Sequence, residues 1–216
     1  MTLFLSSPVH AITLEGTAQG VFSNPLPADK TVAGEGTNEF TWGTASPTQN
    51  MVKFTSGPFS ATTDAPFKIG TLFYFNGITV ADTNPETVDL TVLLTYFSPV
   101  EPNNTSVLFN LALHSTPNIV DDELSADFVS ISTINASTKL ILNGQSYILV
   151  IDGFRNVTGD GLLNQDPTQF HLVEQGSARA DLYVSLKPDT DVPEPATPAL
   201  LGLGLLGLAA SRKYLM

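Results

Sequence analysis

Short runs in which apolar and polar residues alternate constrain the fold of this chain more than any other feature. From Val88 to Phe97 one set of alternate residues is uniformly apolar, and side chains of a strand alternate between its two faces. The same pattern recurs at 107–114, 129–132 and 181–186. Parallel strands need long crossover connections, usually helices, and the sequence leaves no room for them. The pattern therefore predicts an all-β chain with antiparallel strands.

A tight hairpin is predicted where Asn143-Gly144 separates two apolar runs, because both residues tolerate positive φ. Segments 70–75 and 147–151 are apolar on both faces, as central strands of a sandwich are. Counting every such run gives about ten strands joined by Pro, Gly, Asn and Asp turns. We predict an antiparallel β-sandwich of jelly-roll type over residues 12–186.

Charge and composition narrow the possible functions. The net charge of −12 argues against nucleic-acid binding, because an acidic surface repels phosphates. Cysteine is absent, which excludes disulfides, thiolate zinc sites and cysteine nucleophiles. With three histidines, His10, His114 and His171, and no Gly-x-Ser-x-Gly motif, a catalytic triad has little support. We expect a protein that is not an enzyme.

The two ends differ from the middle. Residues 1–11 place Val9 and Ala11 at the small-residue positions of a cleavage site, as in the end of a secretory signal peptide that lacks its basic start. The alternative interpretation of residues 1–11 is an N-terminal tail that is not a signal peptide. Residues 187–195 form a polar, proline-rich linker ending in Val192, Pro193, Glu194 and Pro195. These prolines exclude helix or central strand there.

Residues 196–216 begin with an apolar, glycine-containing run and continue to Arg212 and Lys213. A helix over 196–210 spans about 22 Å, less than the roughly 30 Å hydrocarbon core of a bilayer. Such a short C-terminal membrane helix suits temporary insertion, with the basic pair kept in the cytoplasm. An ordinary tail anchor is the alternative.

The stretch "VPEPATPALLGLGLLGLAASRK" resembles a PEP-CTERM sorting signal: a Pro-Glu-Pro motif, a short membrane helix and a basic cluster. The resemblance covers about the last 25 residues of the chain. It implies a bacterial cell-envelope or extracellular protein, tethered to the membrane until an exosortase processes its tail. It also implies an association with exopolysaccharide.

A second resemblance covers residues 12–186. Segments "GVFSNP", "GEGTNEFTWG", "FKIGTLFYFNGIT", "VDLTVLLTY" and "ADFVSI" are similar to the choice-of-anchor K domain of exported bacterial proteins. That family has no established activity, so the resemblance implies an architecture and a cellular address.

Three residues are candidates for binding a sugar. Trp42 could provide an aromatic platform with Asn38 beside it, and Asn76 could face a ligand from a loop. The alternative assigns Trp42 to the core, on the same face as Phe40, and Asn76-Gly77 to a turn. The carbohydrate-binding role is the alternative to a purely structural one.

Calcium is the candidate cofactor. The segment "RNVTGDGLLNQD" spaces oxygen side chains somewhat like a calcium loop and supplies the candidate ligands Asp160, Asn164 and Asp166. Asp152, just before the segment, is a further candidate. Pro167 occupies the position of the usual bidentate carboxylate, so an Asp-Gly turn is the alternative. Glycoside hydrolysis needs only two carboxylates and is a further alternative.

Overall fold

The computed structural model describes residues 11–63, 65–98, 103–116, 126–133, 139–162 and 166–189. Within this part the chain forms strands and turns and contains no helix. One group of strands is β1 Thr13–Leu26, β5 Gly57–Thr62, β7 Thr87–Ser98, β8 Asn103–His114, β9 Asp127–Thr133, β12 Gly161–Leu162 and β13 Gln169–Leu172. The other group is β2 Val32–Ala33, β3 Glu39–Trp42, β4 Asn50–Thr55, β6 Phe67–Phe75, β10 Lys139–Leu142, β11 Gln145–Gly159 and β14 Ser177–Pro188.

The two groups form two antiparallel sheets. Sheet A has the strand order β12-β13-β9-β8-β7-β1-β5, and sheet B has the order β10-β11-β14-β6-β4-β3-β2. Alternation sets the faces: β1 and β8 bury every second residue over most of their length, as the period-2 pattern predicts. The prediction of an all-β antiparallel sandwich is confirmed. The jelly-roll type stays a prediction, because this strand order does not by itself establish it.

The inner faces of both sheets form one core, which is rich in aromatic rings. Phe22 of sheet A contacts Phe40 of sheet B, whose ring stacks on Trp42, and Trp42 stacks in turn on Tyr74. Phe170 of sheet A meets Tyr74 edge-on at a centroid distance of 6.1 Å. Large aromatic side chains bury the most apolar area, so this row of rings joins the sheets strongly.

Glycine allows one large ring to lie across the core. A Cβ on Gly20 of β1 would come within 2.5 Å of the Phe54 ring, and a Cβ on Gly70 of β6 within 2.2 Å. These distances are below any real contact between carbon atoms. The ring of Phe54 can therefore occupy its place only because both facing residues lack a side chain.

The predicted hairpin is confirmed. Asn143 and Gly144 have φ of 50° and 78°, and they join β10 to β11. Farther along β11 the pairing with β14 shifts between Arg155 and Thr158, and Asn156 has a φ of 53°. Such a bulge changes the direction of neighbouring side chains. Here it exposes both Arg155 and Asn156.

The described strands cover the region predicted as the β domain. The first described strand begins at Thr13 and the last ends at Pro188, while the limits 12–186 themselves stay a prediction. The signal peptide, except for Ala11, and the C-terminal membrane helix fall outside the described residues. Among the described residues, none lies in a helix of the length and hydrophobicity that a membrane span requires.

Candidate functional site

The predicted aromatic platform lies inside the sandwich. Trp42 is 2% exposed, and its ring is stacked between Phe40 and Tyr74. A sugar stacks on an aromatic face that solvent can reach, and here neither face is open. The neighbouring Asn38 is exposed, and its side-chain amide donates to the carbonyl of Phe54 at 3.1 Å. Both placements agree with the alternative in which this stretch anchors the core.

Asn76 is also buried, at 0% exposure. Its side-chain amide donates a hydrogen bond to the backbone carbonyl of Leu172 at 3.0 Å. Its backbone carbonyl accepts a hydrogen bond from the backbone N–H of Gln175. These bonds fix the turn between β13 and β14 against the end of β6. Asn76 therefore holds a loop in place and has no access to solvent.

Three of the candidate calcium ligands accept hydrogen bonds from different residues. Asp152 accepts a hydrogen bond from the hydroxyl of Ser185, and Asp160 accepts one from the backbone N–H of Ser177 at 3.0 Å. Asp166 accepts from the backbone and hydroxyl of Thr168, and these two bonds lower the pKa of its carboxyl. Asn164 lies outside the described residues. Over the described ranges no three acidic or histidine side chains are grouped to hold a metal, and calcium stays a prediction.

A cleft of about 710 Å³ opens at one end of the sandwich. Its lining includes four carboxylates and a histidine: Asp82, Glu86, Asp127, Glu174 and His114. Asp127 is 4% exposed, and its carboxylate accepts from the backbone and hydroxyl of Thr116. Burial raises the pKa of Asp127 despite these two bonds. A buried carboxyl with a raised pKa is what a general acid needs.

Beside the cleft, three rings stack across the outer face of sheet A. His114, Phe128 and His171 are direct neighbours on β8, β9 and β13. Ring centroids are 4.2 Å apart for the first pair and 4.5 Å for the second. Burial and then the proximity of His114 lower the pKa of His171. The sequence placed both histidines in strands but gave no sign that they flank one ring.

The outer face of sheet B carries most of the positive charge. Of the seven lysines and arginines in the described part, only Lys30 lies elsewhere. We name the other six the cationic face, namely Lys53, Lys68, Lys139, Arg155, Arg179 and Lys187. They come from five neighbouring strands, β10, β11, β14, β6 and β4. Three lysines of the cationic face pair with carboxylates, those of Glu39, Asp181 and Asp189.

Arginine and lysine make different contacts on this face. Lys53 pairs with Glu39 at 2.9 Å, and Lys68 pairs with Asp181 at 2.6 Å. Arg155 lies over the ring of Tyr183 at 4.8 Å, and Arg179 lies over Phe73 at 5.5 Å. Cation–π contacts of this kind fix a guanidinium plane without using its hydrogen-bond donors.

The sequence does not group these six residues, because sheet membership is a property of the fold. Arg155 and Arg179 are 24 positions apart in the chain, yet β11 and β14 are neighbours in sheet B. One signal was present: several of the basic residues occupy polar positions of alternating runs. That signal shows that they face outward, but it does not show that they face outward together.

The fold and its surface define a class first: an acidic, cysteine-free antiparallel β-sandwich with one cationic sheet face. The C-terminal tail then indicates where the protein is sent. Residues 191–213 match the PEP-CTERM protein-sorting motif, which contains the predicted Val192, Pro193, Glu194, Pro195, Arg212 and Lys213. The motif marks an exported protein that an exosortase sorts to the cell surface. These residues lie outside the described part of the structure, and no curated protein matches the chain.

Proposed function

We propose that this chain is a cell-envelope or extracellular-matrix protein whose β-sandwich acts by binding and not by catalysis. The sorting motif at 191–213 is the observation that carries the proposal, because it directs the preceding domain to the outside of the cell. The short span of that tail suits a tether that is removed after delivery. The domain itself is of the choice-of-anchor K type, on the segments that resemble it.

Export and processing of the tail are tested by replacing the Pro-Glu-Pro residues in the organism that encodes the chain. Pro193, Glu194 and Pro195 are changed together to alanine, and Pro198→Ala serves as a control because it removes a proline of the tail outside the Pro-Glu-Pro stretch. We expect the triple variant to keep its tail and stay in the membrane fraction, while the control reaches the surface or medium. Mass spectrometry of both termini reads the processing directly. Normal processing of the triple variant would overturn the proposal.

Carbohydrate hydrolysis is a second candidate function, favoured by one observation. Asp127 is buried with a raised pKa in a cleft that three further carboxylates line. A glycosidase needs one protonated and one ionised carboxyl facing each other across the bond. If the cleft is catalytic, Asp127→Asn removes the proton donor and lowers the turnover of a hydrolysed glycan by about a hundredfold or more.

The matched control for this assay is Asp89→Asn on the outer face of sheet A. Asp89 accepts from Asn24 and Asn110 and lies outside the cleft. Hydrolysis that Asp127→Asn abolishes and Asp89→Asn leaves intact would establish an enzyme and overturn the non-catalytic proposal. No release of reducing ends from a panel of polysaccharides would instead remove the second candidate.

A further inference from the structure

The cationic face has three properties that together indicate a ligand. It gathers six of the seven basic residues of the described domain. Its two arginines are exposed, and neither guanidinium contacts a carboxylate among the described residues. The bulge in β11 exposes Arg155 on the side where β14 presents Tyr183. Bulges are common where a strand aims a functional side chain.

We propose that the cationic face binds an acidic polysaccharide whose charges are carboxylates on the sugar rings. The inference rests on the proposed function in one respect, namely that the domain is delivered to the outside of the cell where such polymers lie. It refines that function by naming the surface and the chemical class of the partner. Arg155 and Arg179 are its central residues.

The arginine geometry suits carboxylates. A guanidinium presents parallel N–H donors that match the two oxygens of a carboxylate. The rings of Tyr183 and Phe73 already support the two guanidinium planes, so little side-chain freedom is lost on binding. Across the sheet, Arg179, Phe73 and Lys53 stand in one register on β14, β6 and β4. Strands lie about 4.8 Å apart, so these two charges span roughly 10 Å across the strands.

Neutral polar groups between the charges can serve sugar hydroxyls. Thr71 and Asn156 both donate to Asp181, and each keeps further hydrogen-bonding capacity at the surface. A depression of about 290 Å³ is lined by Lys68 and Thr71, together with Thr55. A chain of sugar rings offers both carboxylates and hydroxyls, which is the mixture that this surface complements.

Nucleic acid and anionic membrane fit the same face less well. Duplex DNA carries one charge per about 1.7 Å of axis, so the acidic remainder of the domain repels it strongly. A polysaccharide with at most one carboxylate per sugar has a lower charge density. In addition, arginine covers the rings of Tyr183 and Phe73, so these two rings are not open to stacking bases.

A second copy of the chain is also a poorer partner. The described strands of sheet A have two outward carboxylates along their lengths, Glu15 and Asp89. Asp89 already accepts hydrogen bonds from Asn24 and Asn110. This face therefore offers little negative charge to complement the cationic face of another molecule.

The test measures binding of the purified full chain to immobilised polygalacturonate, with neutral dextran as the reference. Duplex DNA and phosphatidylglycerol vesicles are measured in the same buffers. Affinity is compared at about 0.01 M and about 0.15 M ionic strength, where the Debye length is about 30 Å and about 8 Å. We expect saturable binding to polygalacturonate that weakens with salt, and no binding to dextran.

Matched variants locate the site. Arg155→Gln with Arg179→Gln should weaken binding by about tenfold or more, since each charge-assisted pair contributes substantially to affinity. Arg179→Gln alone is compared with Lys30→Gln, because each removes one positive charge and Lys30 lies off the face, bonded to the carbonyl of Asp82. We expect Lys30→Gln to change affinity less than about twofold. Arg179→Lys keeps the positive charge but loses the planar guanidinium, so its affinity should lie between those of Arg179→Gln and Lys30→Gln.

Equal losses in Arg179→Gln and Lys30→Gln would show a response to net charge alone and would overturn the site. Tighter binding to DNA or vesicles than to polygalacturonate would overturn the ligand class, as would no binding at all. A chain that reaches the surface but binds nothing contradicts this inference alone, whereas a chain that binds but stays in the cytosol contradicts only the proposed function. Thermal unfolding of each variant confirms that the fold is intact.

Discussion

Sheet A and sheet B bury their inner faces in the same core but present different chemistry to solvent. The described strands of sheet A contain no lysine or arginine and face outward mainly with threonine, serine, asparagine and glutamine. The strands of sheet B carry six basic residues and the two arginine–aromatic pairs. Packing demands only that the inner faces match. The outer faces are free to differ, so their difference points to function more than to stability.

The largest expected effect tests the part that the two sheets share. Trp42 of sheet B and Phe109 of sheet A are both buried in the core. Replacing either with alanine removes a large ring and leaves a cavity, which costs about 3–5 kcal/mol of unfolding free energy. Urea denaturation measures both variants. A loss below about 1 kcal/mol in one of them would show that its sheet does not depend on the common core.

A smaller effect is expected where the sheets meet around Phe54. Gly70→Ala on sheet B places a methyl group against that ring, and overpacking of this kind costs about 1–3 kcal/mol. Gly20→Ala does the same from sheet A. Adding Phe54→Leu should relieve part of either loss, and a double-mutant cycle on unfolding free energies measures the coupling. Strict additivity would contradict the contact.

On the outer face of sheet B, Asp181 holds the polar network together. Burial raises the pKa of Asp181, but bonds from Lys68, Asn156 and Thr71 outweigh burial and leave it below the ordinary value of 3.8. Its stabilising contribution is therefore present above pH 3.8 and is lost as the pH falls through the folded pKa. Asp181→Asn should cost about 1 kcal/mol at neutral pH, since the pair is partly exposed.

The acid limb of the stability curve is the readout for Asp181→Asn. Thermal melts below pH 4 should lose less stability in the variant than in the parent, because the variant has no proton to take up there. Glu39→Gln is the control, since the Glu39–Lys53 pair on the same face is half exposed on both sides. An unchanged acid limb in Asp181→Asn would contradict the network.

The smallest effect concerns the ring stack on sheet A. The pKa of His171 lies below its ordinary value of 6.5, so its neutral form is the stable one in the fold. The stability that neutral His171 contributes to the fold is fully present above pH 6.5. It is lost as the pH falls through the pKa of His171 in the folded protein. His171→Gln should cost about 0.5–1 kcal/mol for the lost ring contact and flatten this part of the pH curve.

His114→Gln separates the two causes of the His171 shift. Burial, the larger cause, remains in that variant, while the coulombic effect of His114 on His171 is removed. We therefore expect a reduced but still measurable pH dependence in thermal melts between pH 5 and 7. Complete loss of the dependence would show that the proximity of His114, and not burial, controls His171.

Much of the fold was predictable because it follows from local pattern. Val88 to Phe97 forms β7, and Asn143-Gly144 forms the turn of a hairpin. Strands β2, β5 and β12 were not predicted, and in β2 and β12 two residues are too few to show a period. For Trp42 the sequence left both a core position and a sugar platform open, since an alternating run shows which residues share a face but not which face is inside, and the structure buries the ring.

The sequence by itself determined that this chain is all-β, that it lacks thiol chemistry and that it carries an export address. Each of these depends on composition or on residues adjacent in the chain. Tertiary structure alone decided that residues as distant as Lys53 and Arg179 share one cationic face, and that Asp127 is buried beside a cleft. Strand order brings such residues together, and it depends on long-range pairing that no local stretch encodes.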